Sequence, residues 1–354
     1  MKDRKLRVLY HFPFPHTIYA GKFIYEGYKA AFTKLGHAFH TLTSSDDLRE
    51  VLERVQPDIF ISSLHRYALK FLNLDLLQSY RSSHGLVYFN SIPTWKKLSS
   101  QPGCSDLEND TELVTLIKKG LAGDAFFYWI EQDSPYMDGF TKSTGYPYHT
   151  ILLAADTERY YYDPDPKYAH DISYVGHYLK EKRSFINSHL LPLKKDYNVG
   201  IYGSDWTLPD RLLGYIQKGG QYFNIPYLRS IRRVPLLDDR KVYSSTTINL
   251  NIHGDFQSSK GSDINERTFK ILASGGFEIC DYVGPIRKYF TENELVLASN
   301  SDEWFEKIHY FMKNPEKRIP YIQAGQKKVL ENHTYVNRAR QFIDIYYQLS
   351  GKTI

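Results

Sequence analysis

A chain of 354 residues, 42% hydrophobic and 24% charged, is long enough for two domains with substantial cores. Its apolar runs all fall short of the roughly 18 to 20 residues of a membrane span, and LRVLYHF, after the charged start Lys2, Asp3, Arg4 and Lys5, is too short for a signal peptide, so the expected compartment is the cytoplasm. The net charge of +5, read as unclustered, argues against a nucleic-acid partner while suiting an anionic substrate, and Cys104 and Cys280 form neither a disulfide framework nor a zinc spacing.

In chain order, Leu6–Phe12 reads as a buried first strand, followed by the loop FPFPHTIYAG. Apolar residues at helical spacing (Phe23, Tyr28, Ala31, Phe32, Leu35) predict a helix over Lys22–Leu35 that stops at Gly36. Strand Ala38–Leu42, helix Asp46–Val55, strand Asp58–Ser62, helix Asn73–Arg81 and strand Gly85–Phe89 continue a strong β-α alternation, which points to a doubly wound parallel sheet. Ser91–Gly123 is polar and irregular, with a helical piece at Glu112–Lys119. Ala125–Ile130 (strand), Met137–Lys142 (helix) and Thr150–Ala154 (strand) then restore the sheet. Two Asp-Pro pairs make Tyr160–Lys167 the best linker candidate.

The rhythm restarts with strand Asp171–Val175, helix Lys182–Leu191 and strand Tyr197–Tyr202. Gly214–Pro226 reads as irregular, Tyr227–Val234 as a helix leading into a strand, and Leu237–Ser245 as a helix. Asn249–Tyr282 is the organising stretch: strand Thr247–Ile252, a long polar loop, a helix opening near Asn265, a Gly275-Gly276 stop and the buried strand Phe277–Asp281. About a dozen residues separate Ile252 from that helix, where most connections run about 4 to 6. Amides at such a helix start suit a diphosphate, although an ordinary connection capped by Asp263 or Asn265 would look the same. Helices over Asn300–Met312, Ile319–Asn332 and Tyr335–Leu349 close the chain.

Two Rossmann-like halves place function on the loops at the carboxyl ends of their strands. Lys182, Arg183 and Arg267 can neutralise a diphosphate, and each alone is also readable as a solvated surface charge. His16, His65 and Asp133 are candidates to contact an acceptor or take its proton, with a packing or surface role as the alternative for each. Walker A, G-x-G-x-x-G, G-x-S-x-G and H-E-x-x-H patterns are absent, and no Asp-x-Asp ends a strand in the second half, so a metal is not expected.

From His170 onward the segments HDISYVG with Arg183 downstream, IYGSDW, TTINLNIH, NERTFKILASGGFEICD and NHTYVNRARQFIDIY, in that order, resemble the GT-B glycosyltransferases, in particular the spore-maturation-like branch of the group 1 family. The resemblance implies two Rossmann-like domains facing across a cleft. Residues 1–160 would bind the acceptor and 168–334 a nucleotide-sugar of UDP or GDP type, and the helix in 335–354 would cross back to the first domain. It further implies that Gly176 and His177 lie by the donor phosphates, that Gly203 and the backbone near Val234 flank the base, and that the loop carrying His253, Gly254, Asn265, Glu266 and Arg267 holds the diphosphate and sugar. One position departs: Lys270 stands in RTFK where relatives place a ribose-binding glutamate. An ammonium cannot accept a ribose hydroxyl, so Glu266 or Glu278 takes over, Lys270 pairs with phosphate, or the donor is held differently. The expected activity is metal-independent, retaining sugar transfer to a glycan or other hydroxyl acceptor, with no separate cofactor. The alternatives are a non-catalytic nucleotide-sugar or glycan-binding protein and a sugar-nucleotide epimerase.

Overall fold

The computed structural model describes residues 4–15, 20–98, 106–223, 225–229, 238–254, 257 and 263–351. They form two compact units, the first comprising residues up to Pro15, Ala20–Leu152 and those from Tyr335 on, the second centred on Leu153–Thr334.

The first unit holds a six-stranded parallel sheet of β1 (Arg7–His11), β2 (Ala38–Leu42), β3 (Ile59–Ser63), β4 (Val87–Ser91), β5 (Ala125–Tyr128) and β6 (Tyr148–Thr150), in the order β2-β1-β3-β4-β5-β6. Parallel strands need crossovers, and α1 (Ala20–Lys34), α2 (Leu48–Val55), α3 (Arg66–Leu69), α4 (Leu74–His84), α5 (Thr111–Lys118) and α6 (Phe140–Thr144) supply them. Local chemistry sets their ends: the Asp47, Asn73 and Asp110 side chains cap α2, α4 and α5, and Gly85 ends α4 at a φ of 65°. Both faces of the sheet are covered, so Val87, Tyr88, Phe89 and Asn90 are all buried.

The second unit holds a five-stranded parallel sheet of β7 (Ile172–Val175), β8 (Val199–Tyr202), β9 (Ile248–Asn251), β10 (Glu278–Asp281) and β11 (Val296–Ala298), in the order β11-β10-β9-β7-β8. Its named helices are α7 (Arg183–Phe185), α8 (Leu208–Tyr222), α9 (Pro226–Arg229), α10 (Asp239–Ser245), α11 (Glu266–Ala273), α12 (Ile286–Tyr289), α13 (Ser301–Lys313) and α14 (Ile319–Asn332). The core gathers Ile172, Tyr174, Ile248, Leu250, Ile279 and Trp304. The last helix, α15 (Tyr335–Ser350), returns to the first unit, where the Phe342 ring meets Phe89 at 5.1 Å and Phe127 at 4.9 Å, and Arg338 Nε donates to the Leu152 carbonyl at 2.9 Å.

Several expected elements are corrected. Gly214–Pro226 is not irregular: α8 runs through Gly214, Gly219 and Gly220. Glycine costs about 1 kcal/mol in a helix without forbidding it, and here Gly214, Gln217 and Gly220 form the buried side. The strand expected over Thr150–Ala154 lies instead at Tyr148–Thr150, and Ala155 bridges Thr334. The helix expected over Lys182–Leu191 is a series of short 3-10, α and π turns. Tyr160–Lys167 is no free linker, because Tyr160 is buried and its hydroxyl donates to Asp239 at 3.0 Å.

Candidate functional site at the carboxyl ends of β7, β8 and β9

In the second sheet β7 lies between β8 and β9, so the chain leaves it in opposite directions on either side. Such a reversal opens a crevice beyond the carboxyl ends of the strands. The loops after β7, β8 and β9 begin there with Gly176, Gly203 and Ile252.

Small residues keep the first two loops close. Gly203 has a φ of 127°, and a Cβ there would fall 2.2 Å from the Gly176 carbonyl oxygen, so only glycine fits. A Cβ on Gly176 would fall 2.5 Å from the Tyr174 hydroxyl and 2.9 Å from Arg267 Nη2. Gly176 N–H donates to the Tyr202 carbonyl at 2.8 Å, Trp206 Nε1 donates to the Gly176 carbonyl at 2.9 Å, and the exposed His177 pairs with Ser204.

Two cations converge on one backbone oxygen. Lys182 Nζ donates to the Ile252 carbonyl at 2.8 Å, and Arg267 Nη1 approaches the same oxygen at 3.4 Å. Burial, with the neighbouring Arg267 charge second, pushes the Lys182 ammonium down to about 7. Among the described residues neither cation is ion-paired with a carboxylate, and Asp281 and Glu181 act on Lys182 only at longer range. Arg267 also lies over the Tyr174 ring at 5.3 Å, and Arg183 over the Tyr178 ring at 5.1 Å.

A buried polar network fixes Arg267 and the start of α11. Asn265 is the N-cap, accepting the Arg267 amide at 3.1 Å, and its Nδ2 donates to Asn251 Oδ1 at 2.9 Å. Asn251 Nδ2 in turn faces Thr268 Oγ1 and Glu278 Oε1, each at 2.8 Å. Burial pushes the Glu278 carboxyl up to about 7, and its Oε2 has no hydrogen-bond partner. Glu278 therefore sits beneath the crevice.

His253 joins the loop to β10. Its Nδ1 donates to Asp281 at 2.8 Å, and its Nε2 accepts the Asn265 amide at 3.2 Å, which sets the neutral tautomer. His253, Cys280 and Asp281 bring ligand-type atoms within 4.8 Å of one another. With both ring nitrogens engaged, the imidazole directs no lone pair at an ion, so these residues do not fit a metal in this arrangement. The Gly254 amide donates to Gln257 Oε1 at 3.0 Å.

Lys270 lies on another face of α11. It ion-pairs with Glu266 one turn earlier and stands 5.2 Å from the centroid of the Tyr160 ring. This pairing was not among the options left open for Lys270, and it engages Glu266, one of the two residues expected to take over the ribose. His16 and Val234 lie outside the described residues. His65 and Asp133 belong to the first unit and are exposed: His65 precedes α3 and stacks on Tyr67, and Asp133 sits in a turn beyond β5. The sequence reading did not single out Asn251, Thr268, Trp206 or Asp281, nor the buried His11 at the end of β1, whose Nδ1 lies 2.9 Å from Ser62. A polar residue at the last position of an apolar strand is the one available signal, and His11, Asn251 and Asp281 all carry it.

The family described as "Glycosyl transferase-like" matches residues 183–344. No curated protein matches the sequence. Among solved structures the chain is similar to sucrose-phosphate synthase from Thermosynechococcus elongatus, with a TM-score of 0.62, 12% identity and coverage of 98% of this chain and 99% of that one. It is similar to Anabaena HepE in complex with UDP and glucose, with a TM-score of 0.58, 10% identity and coverage of 96% and 99%. It is also similar to an alpha-glucosyltransferase in complex with UDP and a 13-mer DNA containing an HMU base, with a TM-score of 0.63, 11% identity and coverage of 97% and 99%. Residues 183–344 are thus similar to that family, and the chain shares with these solved structures the GT-B fold of two parallel α/β sheets.

Proposed function

We propose that the protein transfers a sugar from a UDP- or GDP-type nucleotide-sugar to a hydroxyl of a glycan or other small acceptor, and that it works without a metal. The observation that carries this reading is the convergence of two basic side chains without an ion-pair partner among the described residues, Lys182 and Arg267, on the Ile252 carbonyl beside the first turn of α11. A diphosphate seated there meets two positive charges and the positive end of a helix dipole. In the reaction the bond between the anomeric carbon and the diphosphate oxygen breaks, and a bond to the acceptor oxygen forms. Charge then develops on the departing diphosphate, where Arg267 and Lys182 stabilise it.

Gly176 and Gly203 let the loops after β7 and β8 close together at the edge of the crevice proposed for the donor's phosphates and base, and His177 lies at the same edge. On the first unit, His65 and Asp133 are the described candidates to meet the acceptor or take its proton. The transfer is proposed to retain configuration and to occur in the cytoplasm. Two of the structurally similar proteins are described with UDP, which favours a uridine donor within the proposed class.

The test is a panel of UDP-, GDP-, ADP- and CMP-sugars with candidate acceptors, following release of the nucleotide. Release from a UDP- or GDP-sugar that survives a chelator, and is lost in Arg267→Ala, supports the reading. Silence across the panel rejects transfer, and binding without release points to a nucleotide-sugar-binding protein instead.

A further inference from the structure

The first sheet has a switch point of its own. Its β1 lies between β2 and β3, so the connections leave in opposite directions and a crevice opens beyond the carboxyl ends of β1 and β3. The register pairs Tyr10 with Ile61 and Ser62 with Asn90. His11, Ser62 and Asn90 therefore form one row across three adjacent strands, 4%, 4% and 0% exposed. Strands covered on both faces ordinarily carry aliphatic side chains at such positions.

The proton directions along this row follow from its one fixed acceptor. A carbonyl only accepts, so the Asn90 atom 2.7 Å from the Ala122 carbonyl is Nδ2, which also donates to the Tyr88 hydroxyl at 2.9 Å. Tyr88 directs its own proton to Ser62, with which it shares a hydrogen bond. Ser62 in turn donates to His11 Nδ1 at 2.9 Å. This arrangement uses every proton of the row and puts the ring proton of His11 on Nε2, which has no hydrogen-bond partner among the described residues. Burial pushes the imidazole down to about 4, so near neutral pH it offers an N–H and takes no proton. A buried donor without a partner costs roughly 1 to 3 kcal/mol, and a ligand oxygen removes that cost.

The flanking segments decide the class of ligand. Phe14, from the loop after β1, meets Phe71, just beyond α3, at 5.5 Å, and His65 stacks on the exposed Tyr67. The cations on these segments are engaged, Arg66 with Asp110 and Glu112 and Lys70 with the Phe71 ring at 4.9 Å. Aromatic rings beside a neutral N–H donor suit the C–H face and hydroxyls of an uncharged sugar and offer an anion little to pair with.

We propose that the crevice beyond β1 and β3 holds an uncharged sugar, one of whose hydroxyl oxygens accepts from His11 Nε2. Together with the transfer proposed above, on which this name alone rests, that sugar is the acceptor, and His11 orients it without acting as its base.

Two measurements on the full chain test the site. Nitrogen-15 correlation spectra should show His11 as the Nε2–H tautomer near neutral pH, and Ser62→Ala should erase that preference. An Nδ1–H tautomer in the unaltered chain overturns the proposal. A glycan array of neutral and acidic sugars, probed with no nucleotide present, should capture the chain on neutral sugars, and the methyl glycoside of a captured sugar should shift the His11 Nε2 resonance. His11→Phe should weaken capture on the order of tenfold, while His11→Gln, which keeps an N–H, should retain most of it. Capture on acidic sugars alone, no capture, or a Nε2 resonance that the glycoside leaves in place overturns the proposal, and the last reading needs no variant to fold. Neutral-sugar capture with silence in the nucleotide panel would reject transfer and leave this site standing. Transfer with an unchanged acceptor KM in His11→Phe would reject this site alone.

Discussion

Asn251 Oδ1 accepts Arg267 Nη1 at 2.7 Å while Nδ2 of the same side chain donates to Glu278 Oε1 at 2.8 Å. One buried amide thus joins the guanidinium at the crevice to a carboxyl in the floor beneath it. The orientation of Arg267 depends on a residue that the proposed donor does not touch.

Asn251→Ala is expected to release the Arg267 fork and to leave Glu278 and Thr268 short of a partner. Affinity for a nucleoside diphosphate should fall on the order of tenfold, and stability by roughly 1 to 3 kcal/mol. Calorimetric titration with UDP and GDP, beside thermal unfolding, measures both.

The depressed ammonium of Lys182 gives nucleotide binding a pH dependence. Below about 7 it is charged and attracts the diphosphate, and above that it becomes neutral, so affinity should decline as pH rises through 7. Binding at about pH 7.5 should take up a proton, visible as a dependence of the binding heat on buffer ionisation enthalpy, and Lys182→Met should abolish the uptake. Stability carries the opposite sign. The penalty of burying this charge is full below about 7 and fades as pH rises towards the ordinary lysine value, so Lys182→Met should stabilise most on the acid side.

Glu278 behaves as a buried acid whose pKa is raised from 4.5 to about 7. Between those values the folded chain holds a proton that the unfolded chain releases, so stability falls as pH rises through this window. Glu278→Gln should flatten that slope. Its gain should be larger at about pH 8 than at about pH 5, by roughly 1 to 3 kcal/mol. Unfolding in denaturant across that range checks it.

Lys270→Glu restores the residue that the family resemblance expects, yet here it would set a third acid beside Glu266 and Asp239. The change should destabilise the fold by roughly 2 to 4 kcal/mol, and adding Glu266→Lys should recover part of the loss. A Lys270→Glu chain that melts normally and binds nucleotide more tightly would instead show that this position faces the ribose.

The parallel sheets were legible because their buried strands, such as VYFN at Val87–Asn90 and EICD at Glu278–Asp281, stand between amphipathic helices. Arg267, Lys182 and the two glycines of the crevice were legible from their places just beyond strands. The Asn251 network was not, because hydrogen bonding between β9, α11 and β10 follows from three-dimensional register and leaves no spacing in the chain. Helix α8 was misread because three glycines lowered its propensity, and its apolar face gave no warning that it points outward. Lys270 was judged by its neighbours in the sequence, while its partner Tyr160 comes from more than a hundred residues away.

The placement of Phe342 sets an order of events during synthesis. The ring that fills the space among Tyr28, Phe89 and Phe127 is carried by α15, near the end of the chain, whereas the strands it covers are made first. A nascent chain therefore displays an unfinished sheet face while some two hundred further residues leave the ribosome, at about 5 to 20 residues per second. For those seconds the early half must be shielded or stay only loosely assembled, and a frameshift ahead of Tyr335 would disable the half translated first.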